Sequence, residues 1–157
     1  MHNLALTDPL TGLENRRSFS ILAEQRIKLA KRLESPLILL YIDVDNFKAI
    51  NDTHGHNVGD NILSHLARIL KTNIRESDIV ARMGGDEFVV LILPKNKDDI
   101  QKIKQKIGQT VRDYRHTELP LFTATVGATL VNKVSNIEQL LDQADKDMLT
   151  QKKYSRN

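Results

Sequence analysis

The sequence predicts an α+β fold, in which an antiparallel sheet is backed by helices, and two observations carry this prediction. Four short apolar runs typical of strands are separated by segments with the periodicity of amphipathic helices. After an opening helix, their order is strand, helix, strand, strand, helix, strand, and a last helix closes the chain. This β-α-β-β-α-β order is the split β-α-β arrangement of ferredoxin-like and palm-type cores, here with an extra N-terminal and C-terminal helix.

The first half of the chain contains a turn, two helices and a strand. The turn-rich residues 8–13 lead into a helix over about residues 15–33. The strand at residues 37–44 is apolar on both faces, which is typical of a central strand. A polar loop is expected over residues 46–59, and Asp60 is placed as the N-cap of the next helix.

The second half begins with a predicted β-hairpin. Residues 79–83 and 88–93 form two short apolar runs, joined tightly through Gly84-Gly85. The elements expected after it are a helix that starts at Asp98, a strand over 122–131 and a helix over 136–152.

The connections between these elements place two acidic clusters at one edge of the sheet. A right-handed crossover makes the first two strands parallel, and the hairpin makes the third strand antiparallel to both. The end of the first strand, with Asp43 and Asp45, should therefore lie beside the start of the third, with Asp86 and Glu87. Each cluster alone would be an ordinary solvated turn, but crowded carboxylates repel one another unless a cation neutralises them. Hard oxygen ligands favour Mg²⁺ or Mn²⁺ over zinc, and such a site suits phosphoryl transfer.

The composition narrows the class of protein. The 157 residues, 40% hydrophobic and 27% charged, fit a single domain with its own core. The absence of cysteine excludes disulfides, thiolate metal sites and cysteine nucleophiles. The longest apolar run, residues 37–42, is too short for a membrane span, and there is no signal-peptide pattern, so we expect a cytoplasmic location. Aromatic residues, at 4%, do not interleave with the cations, so the net charge of +3 indicates solvated helix faces rather than a nucleic-acid surface.

The segment after the first strand has side chains suited to a nucleotide. Residues 46–52 offer backbone N–H groups and Lys48 to phosphate oxygens. Asn51 and Asp60 suit a purine edge, because a carboxylate accepts from the N1–H and amine of guanine, whereas an amide both donates and accepts. From spacing alone, the simpler interpretation of both, as a turn residue and a helix cap, is favoured.

Five segments in order resemble the GGDEF domains, the diguanylate cyclases of bacteria. Residues 82–88, RMGGDEF, are similar to the family signature, and residues 43–52, DVDNFKAIND, to its metal and guanine segment. The other segments are residues 8–17, 55–60 and 144–157. Because nearly the whole chain is covered, we expect residues 1–157 to be a single GGDEF domain, compatible with a fragment of a longer sensor protein.

The resemblance implies that two GTP molecules condense to cyclic di-GMP and two pyrophosphates. In this reaction each 3′-hydroxyl attacks the α-phosphate of the other nucleotide. By the same resemblance, Asp43, the Val44 carbonyl and Asp86 hold Mg²⁺ or Mn²⁺. The residues expected to act in catalysis are Asp86, as general base, with Glu87 and Lys48. Those expected to bind GTP are Phe47, Lys48, Asn51, Asp60, Lys152 and Arg156.

The resemblance also implies a homodimer and a product site. One domain of this family holds one GTP, so catalysis requires two half-sites that face each other. No dimerisation helix is recognisable ahead of Asp8, and we expect a missing N-terminal module to pair the domains. Arg75 and Asp78 match the Arg-x-x-Asp inhibitory motif, which implies that cyclic di-GMP binds there as an inhibitor. The simpler interpretation of these two residues is a salt bridge at a helix end.

Four other functions are alternatives to the cyclase. A catalytically silent GGDEF module could bind GTP or cyclic di-GMP as a sensor, but the intact Asp43 and Asp86 favour an enzyme. Asp60 disfavours a cyclase for adenine-containing products, because adenine N1 is an acceptor. A nucleic-acid polymerase palm would need fingers and a thumb, for which the chain has no room. DNA binding through the basic helices has the least support.

Overall fold

The computed structural model describes residues 5–94, 99–131 and 136–155, which form four strands and five helices. The strands are β1 (Leu37–Val44), β2 (Ile79–Gly84), β3 (Glu87–Ile92) and β4 (Ala124–Val131). The helices are α1 (Arg16–Arg32), α2 (Phe47–His54), α3 (His56–Thr72), α4 (Ile100–Asp113) and α5 (Ile137–Ser155). None of the described helices is long and apolar enough to span a membrane.

The strands form one antiparallel sheet in the order β2-β3-β1-β4. Both β1 and β2 are antiparallel to β3, so they run parallel to each other. The predicted α+β fold with its β-α-β-β-α-β core is confirmed. The residues at 37–42 are all buried, so β1 is the central strand that its apolar sequence indicates.

Helices cover both faces of the sheet. Because side chains alternate along a strand, Ile38 and Ile42 pack on one face with α3 and α4, and Leu37 and Leu39 pack on the other with α1 and α5. The core helices therefore lie on one face, and the extra terminal helices supply the second layer. The sheet edge that carries the acidic clusters lies between these layers.

The predictions of a polar loop over residues 46–59 and of Asp60 as a helix N-cap are wrong. Helix α2 occupies most of this segment, and α3 already begins at His56, so that Asp60 lies within α3. Phe47, Ile50 and Val58 are apolar and pack against the core, which stabilises helix in an otherwise polar segment. Gly55, with φ of 91°, separates the two helices.

The ends of the other elements lie close to the predicted positions. Asn15 caps α1: its side chain accepts from the Ser18 N–H at 3.0 Å, and Ser18 Oγ accepts from the Asn15 N–H at 3.1 Å. The predicted start at Asp98 lies outside the described residues, and α4 follows Asp99. The strand predicted over 122–131 begins at Ala124, and the last helix continues to residue 155.

Candidate active site

The two acidic clusters meet at one edge of the sheet, as predicted. Asp43 of β1 pairs in register with Glu87 of β3, and the Val44 N–H donates to the Asp86 carbonyl at 3.4 Å. The hairpin turn requires Gly84-Gly85, whose φ angles are 149° and 50°, values that strain other residues. The side chain of Asp86 then follows the turn directly and lies against that of Asp43.

Asp43 is a partly buried acid whose charge is only partly compensated. Its Oδ2 accepts from Lys152 Nζ at 2.9 Å, whereas its buried Oδ1 has no hydrogen-bond partner among the described residues. Burial, with a contribution from the neighbouring Asp86 carboxyl, raises the pKa of Asp43 to about 7, against the opposing effect of Lys152. Two carboxylates in contact, one with an unpartnered oxygen, favour a bound cation.

The acidic cluster fits a divalent cation that takes few ligands from the protein. The predicted set is two carboxylates, Asp43 and Asp86, and the Val44 carbonyl. In the described ranges 5–94, 99–131 and 136–155, no three Asp, Glu, His or Cys side chains converge as a complete metal site. Mg²⁺ is commonly bound by one or two carboxylates, with water and substrate phosphates in its remaining positions. The unpartnered Asp43 Oδ1 is a ligand of the kind that this ion requires.

Asp45, which belongs to the same sequence cluster, does not join the others. Its two carboxylate oxygens accept from Thr123 Oγ1 at 2.6 Å and from Thr125 Oγ1 at 2.5 Å. Its N–H also donates to the Thr123 carbonyl at 2.9 Å. Asp45 therefore braces the end of β1 against β4, and its charge is directed away from Asp86.

Two residues without a predicted role border the carboxylates. The buried Tyr41 hydroxyl donates to Glu87 Oε2 at 2.8 Å, and burial together with Glu87 raises the pKa of Tyr41, so the hydroxyl remains a donor. On α5, burial, Asp142 and Asp43 raise the pKa of Asp145. The sequence contains a signal for Tyr41, because a strand residue two positions before Asp43 points to the same face.

The phosphate-binding residues predicted after β1 lie at the start of α2. Asn46 takes a left-handed conformation, with φ of 54°, and provides no side-chain cap. The N–H groups of the first turn, including those of Phe47 and Lys48, therefore have no partner within the helix. Lys48 is exposed beside them. Free N–H groups at a helix start, with a cation next to them, are suited to an anion.

Asn51, like Asp43, has a buried side-chain oxygen without a partner. Its Oδ1 has no hydrogen bond among the described residues. Gly59 makes room for it, because a Cβ atom at residue 59 would lie 1.8 Å from Asn51 Oδ1. Asp60, the next residue on α3, is exposed. An unpartnered amide oxygen next to an exposed carboxylate is the kind of pair that was expected at a purine edge.

Of the two C-terminal cations expected to bind GTP, Lys152 is part of this site. It lies on α5 and bonds Asp43. Arg156 lies outside the described residues.

The predicted product site lies at the other end of β2. Asp78 accepts from the Arg75 N–H at 2.9 Å and from the Leu93 N–H at 3.3 Å, and its side chain is only 3% exposed. The Arg75 guanidinium donates to the Leu93 carbonyl and is half exposed. Both side chains therefore stabilise the turn before β2. The Arg75 guanidinium nevertheless remains accessible to a ligand.

A comparison with protein families identifies the chain. Residues 5–157 match the family described as "Diguanylate cyclase, GGDEF domain". The chain belongs to the GGDEF family. Relatives include the diguanylate cyclase DosC of Escherichia coli K12, which is 35% identical over 96% of this chain, and DgcS of Shewanella oneidensis, 33% identical over 98%. This GGDEF chain spans only 34% of DosC and 51% of DgcS.

Solved structures of GGDEF proteins share the fold. The diguanylate cyclase SiaD of Pseudomonas aeruginosa, solved with its activator SiaC, matches with a TM-score of 0.87 and 33% identity over 96% of this chain and 59% of that chain. The isolated GGDEF domain of YfiN (TpbB) from the same organism gives 0.86 and 34%, over 94% of this chain and 89% of that one.

Proposed function

We propose that this GGDEF chain is an active diguanylate cyclase, which condenses two GTP molecules to cyclic di-GMP and two pyrophosphates. The observation that carries the proposal is the contact between Asp43 and Asp86, in which Asp43 Oδ1 is buried without a partner. Two carboxylates that repel each other cost folding free energy unless a cation binds between them, and a cation at this position is what the proposed reaction requires. The diguanylate cyclase relatives add support.

The residues of the site have distinct roles in the proposed reaction. Asp43, Asp86 and the Val44 carbonyl would hold Mg²⁺ or Mn²⁺, which when bound neutralises charge on the reacting phosphate. Asp86 accepts the proton of the 3′-hydroxyl, and Glu87, held by Tyr41, assists beside it. The 3′-oxygen bonds to the α-phosphorus of the other GTP, while the bond from that phosphorus to the β-phosphate oxygen breaks and pyrophosphate leaves.

The phosphates and the base would be bound by separate groups. The N–H groups of Phe47 and Lys48, with the Lys48 ammonium, bind the phosphates at the start of α2. Lys152, which here bonds Asp43, and Arg156 reach the terminal phosphate. Asn51 Oδ1 accepts from the guanine amine, and Asp60 accepts from N1–H, a donor that adenine lacks.

A homodimer and product inhibition belong to the same proposal. Each domain contributes one half-site, and a module outside this chain brings two domains together. Cyclic di-GMP would bind through the accessible Arg75 guanidinium with Asp78, and thereby slow the enzyme. We also propose a cytoplasmic location, where GTP is available.

Product chromatography tests the proposal. Concentrated protein is incubated with GTP and Mg²⁺, in parallel with Asp86→Ala and with Asp113→Ala, a control on the exposed end of α4. We expect cyclic di-GMP from the parent and the control, and none from Asp86→Ala. If the parent binds GTP but makes no product, even when paired by a fused coiled coil, the cyclase proposal is wrong and the sensor function is favoured.

A further inference from the structure

A cleft beside the signature hairpin is rich in arginine. It has a volume of about 510 Å³ and lies between the start of α1 and the turn that joins β2 to β3. Asn15, Arg16 and Arg17 line one side, and Gly84 and Gly85 line the other. Asp8, Arg82 and Met83 complete the lining. We refer to this feature as the arginine cleft.

The charges in the arginine cleft are not balanced. Asp8 accepts from the Thr11 N–H at 2.9 Å and from Arg82 Nη1 at 3.1 Å, while Arg82 Nε donates to the Gly85 carbonyl at 2.9 Å. Asp8 and Arg82 therefore neutralise each other and fix the hairpin. Arg16 and Arg17 are exposed, and neither forms an ion pair with any described residue. Two positive charges remain available to a ligand.

The arginine cleft borders the carboxylates of the active site. Gly85 precedes Asp86 directly in the turn. The guanidinium of Arg16 also lies within electrostatic range of Tyr41, whose hydroxyl bonds Glu87. The free charges are thus close enough to act on an anion that approaches the hairpin.

The nucleotide of the same domain is not the best candidate for this anion. Its phosphates are assigned to the start of α2 and to Lys152, which follow β1 and β4 in the fold, whereas the arginine cleft lies on the β2 side of β3. A two-fold pair of half-sites brings a second triphosphate to the carboxylate edge. Guanidinium groups suit phosphate, because their N–H groups donate in pairs to its oxygens.

We propose that Arg16 and Arg17 bind the triphosphate of the GTP held by the partner domain. This inference rests on the proposed cyclase function. Each active site would then be composite, with metal ligands, base recognition and Lys48 from one domain and two arginines from the other. Pairing of the domains would complete the charge neutralisation of each nucleotide, so an unpaired domain would bind GTP but lack part of the catalytic site.

Nucleotide binding and association can be measured separately from turnover. The probe is a GTP analogue with a non-cleavable α–β bridge, in Mg²⁺ buffer. With the double variant Arg16→Ala/Arg17→Ala in dilute, monomeric solution, we expect the Kd for the analogue to stay within about twofold of the parent value, because the contact is made in trans. In sedimentation at high concentration, we expect analogue-induced dimerisation to weaken by roughly tenfold. Lys48→Ala should weaken binding in dilute solution, and Arg32→Ala, at the far end of α1, should change neither.

A mixing experiment tests the same point through the reaction. Asp86→Ala and the double arginine variant are each expected to be nearly inactive alone. A mixed dimer contains one complete site, made of Asp86 from one chain and the arginines from the other. An equimolar mixture should therefore release pyrophosphate and form the linear dinucleotide at about a quarter of the parent rate, since half of the dimers are mixed and each has one of two sites intact.

The outcomes distinguish the inference from the function on which it rests. Loss of analogue affinity in the dilute double variant, or a mixture no more active than its components, would show that the arginines act on their own nucleotide, or on none. Unchanged dimerisation in the double variant would also overturn the inference. If the parent makes no product and yet the binding and dimerisation results hold, the cyclase proposal fails while the contact in trans stands.

Discussion

Two aspartate–lysine pairs, each with an N–O distance of 2.9 Å, connect α5 to the rest of the fold. The pKa of the aspartate is lowered in one pair and raised in the other. Asp147 accepts from Lys104 and also from the Ala128 N–H at 2.7 Å. Burial acts to raise the pKa of Asp147, but these hydrogen bonds outweigh it and the pKa is lowered. Asp43 accepts from Lys152 but also contacts Asp86, and its pKa is raised to about 7.

The difference shows that the distance within an ion pair does not reveal its role. What separates the two carboxylates is the number of donors that surround each of them. Asp147 accepts from enough hydrogen-bond donors to be stable as an anion without a ligand. Its pair with Lys104 therefore has a structural role. Asp43 lacks donors on one oxygen and is next to a second acid, so its charged form is less stable than that of Asp147 unless a ligand binds.

The largest expected effect is that of Asp43→Asn. We expect cyclic di-GMP formation to fall by roughly 10³-fold. The variant lacks one of the carboxylates proposed to hold the metal ion, and without that ion the charge on the reacting phosphate is not neutralised. In buffer with EDTA, the free energy of unfolding should rise by about 1 kcal/mol, because the repulsion from Asp86 is removed. Product chromatography and urea denaturation measure the two effects. A variant that is less stable than the parent would contradict the contrast with Asp147.

Gly127→Ala should disturb both pairs at once by displacing α5. A Cβ atom at residue 127 would lie 2.2 Å from the backbone nitrogen of Met148 and 2.4 Å from the Ala144 carbonyl oxygen. We expect a loss of about 3 kcal/mol in the free energy of unfolding, because backbone atoms cannot yield as a flexible side chain does. Thermal or urea denaturation measures this loss.

Gly108→Ala is the matched control for that substitution. The nearest atom to a new Cβ there is the Arg112 Nη1, at 3.3 Å, which can move. Because alanine favours the helix interior, this variant should be more stable than the parent by about 0.5 kcal/mol. Equal losses of stability in the two variants would show that the close approach of α5 to β4 does not depend on the missing side chain of Gly127.

Asp147→Asn should destabilise the domain, in contrast to Asp43→Asn. We expect a loss of about 1–2 kcal/mol in urea denaturation, because the side chain of Lys104 is only 10% exposed and would lose its counter-charge. The control is Asp142→Asn, whose pair with Lys146 is also 2.9 Å long but is well exposed on α5. That change should cost less than about 0.5 kcal/mol. Similar losses from both would mean that burial does not set the strength of these pairs.

The sequence predicts the meeting of Asp43 and Asp86 but not the surroundings of Asp147, for a physical reason. Asp43 and Asp86 end or begin strands, and strand connectivity alone brings them together. Asp147 lies mid-helix, and only the packing of α5 against β4 gives it the Ala128 N–H as a donor. Helix α2 was missed because its polar residues conceal Phe47 and Ile50, whose packing decides the local structure.

The smallest and sharpest test is the pH dependence of the two carboxylates in EDTA. Between the ordinary pKa of 3.8 and the folded value of about 7, native Asp43 holds a proton that the unfolded chain does not. Its contribution therefore makes the free energy of unfolding rise as pH falls through this window. Asp147, with its lowered pKa, contributes stability that is lost only as pH falls below 3.8.

Subtracting variants isolates these contributions from other groups. Burial lowers the pKa of His65, so its contribution falls as pH drops below 6.5, opposite in sign to that of Asp43. The stability difference between the parent and Asp43→Asn cancels the His65 contribution, because both proteins retain it. We expect the advantage of Asp43→Asn to shrink as pH falls from about 7 to 4, while the deficit of Asp147→Asn stays constant over that range. A stability difference between Asp43→Asn and the parent that did not change between pH 4 and 7 would mean that Asp43 is ionised over this whole range. The pKa values of Asp43 and Asp147 would then differ less than their surroundings indicate.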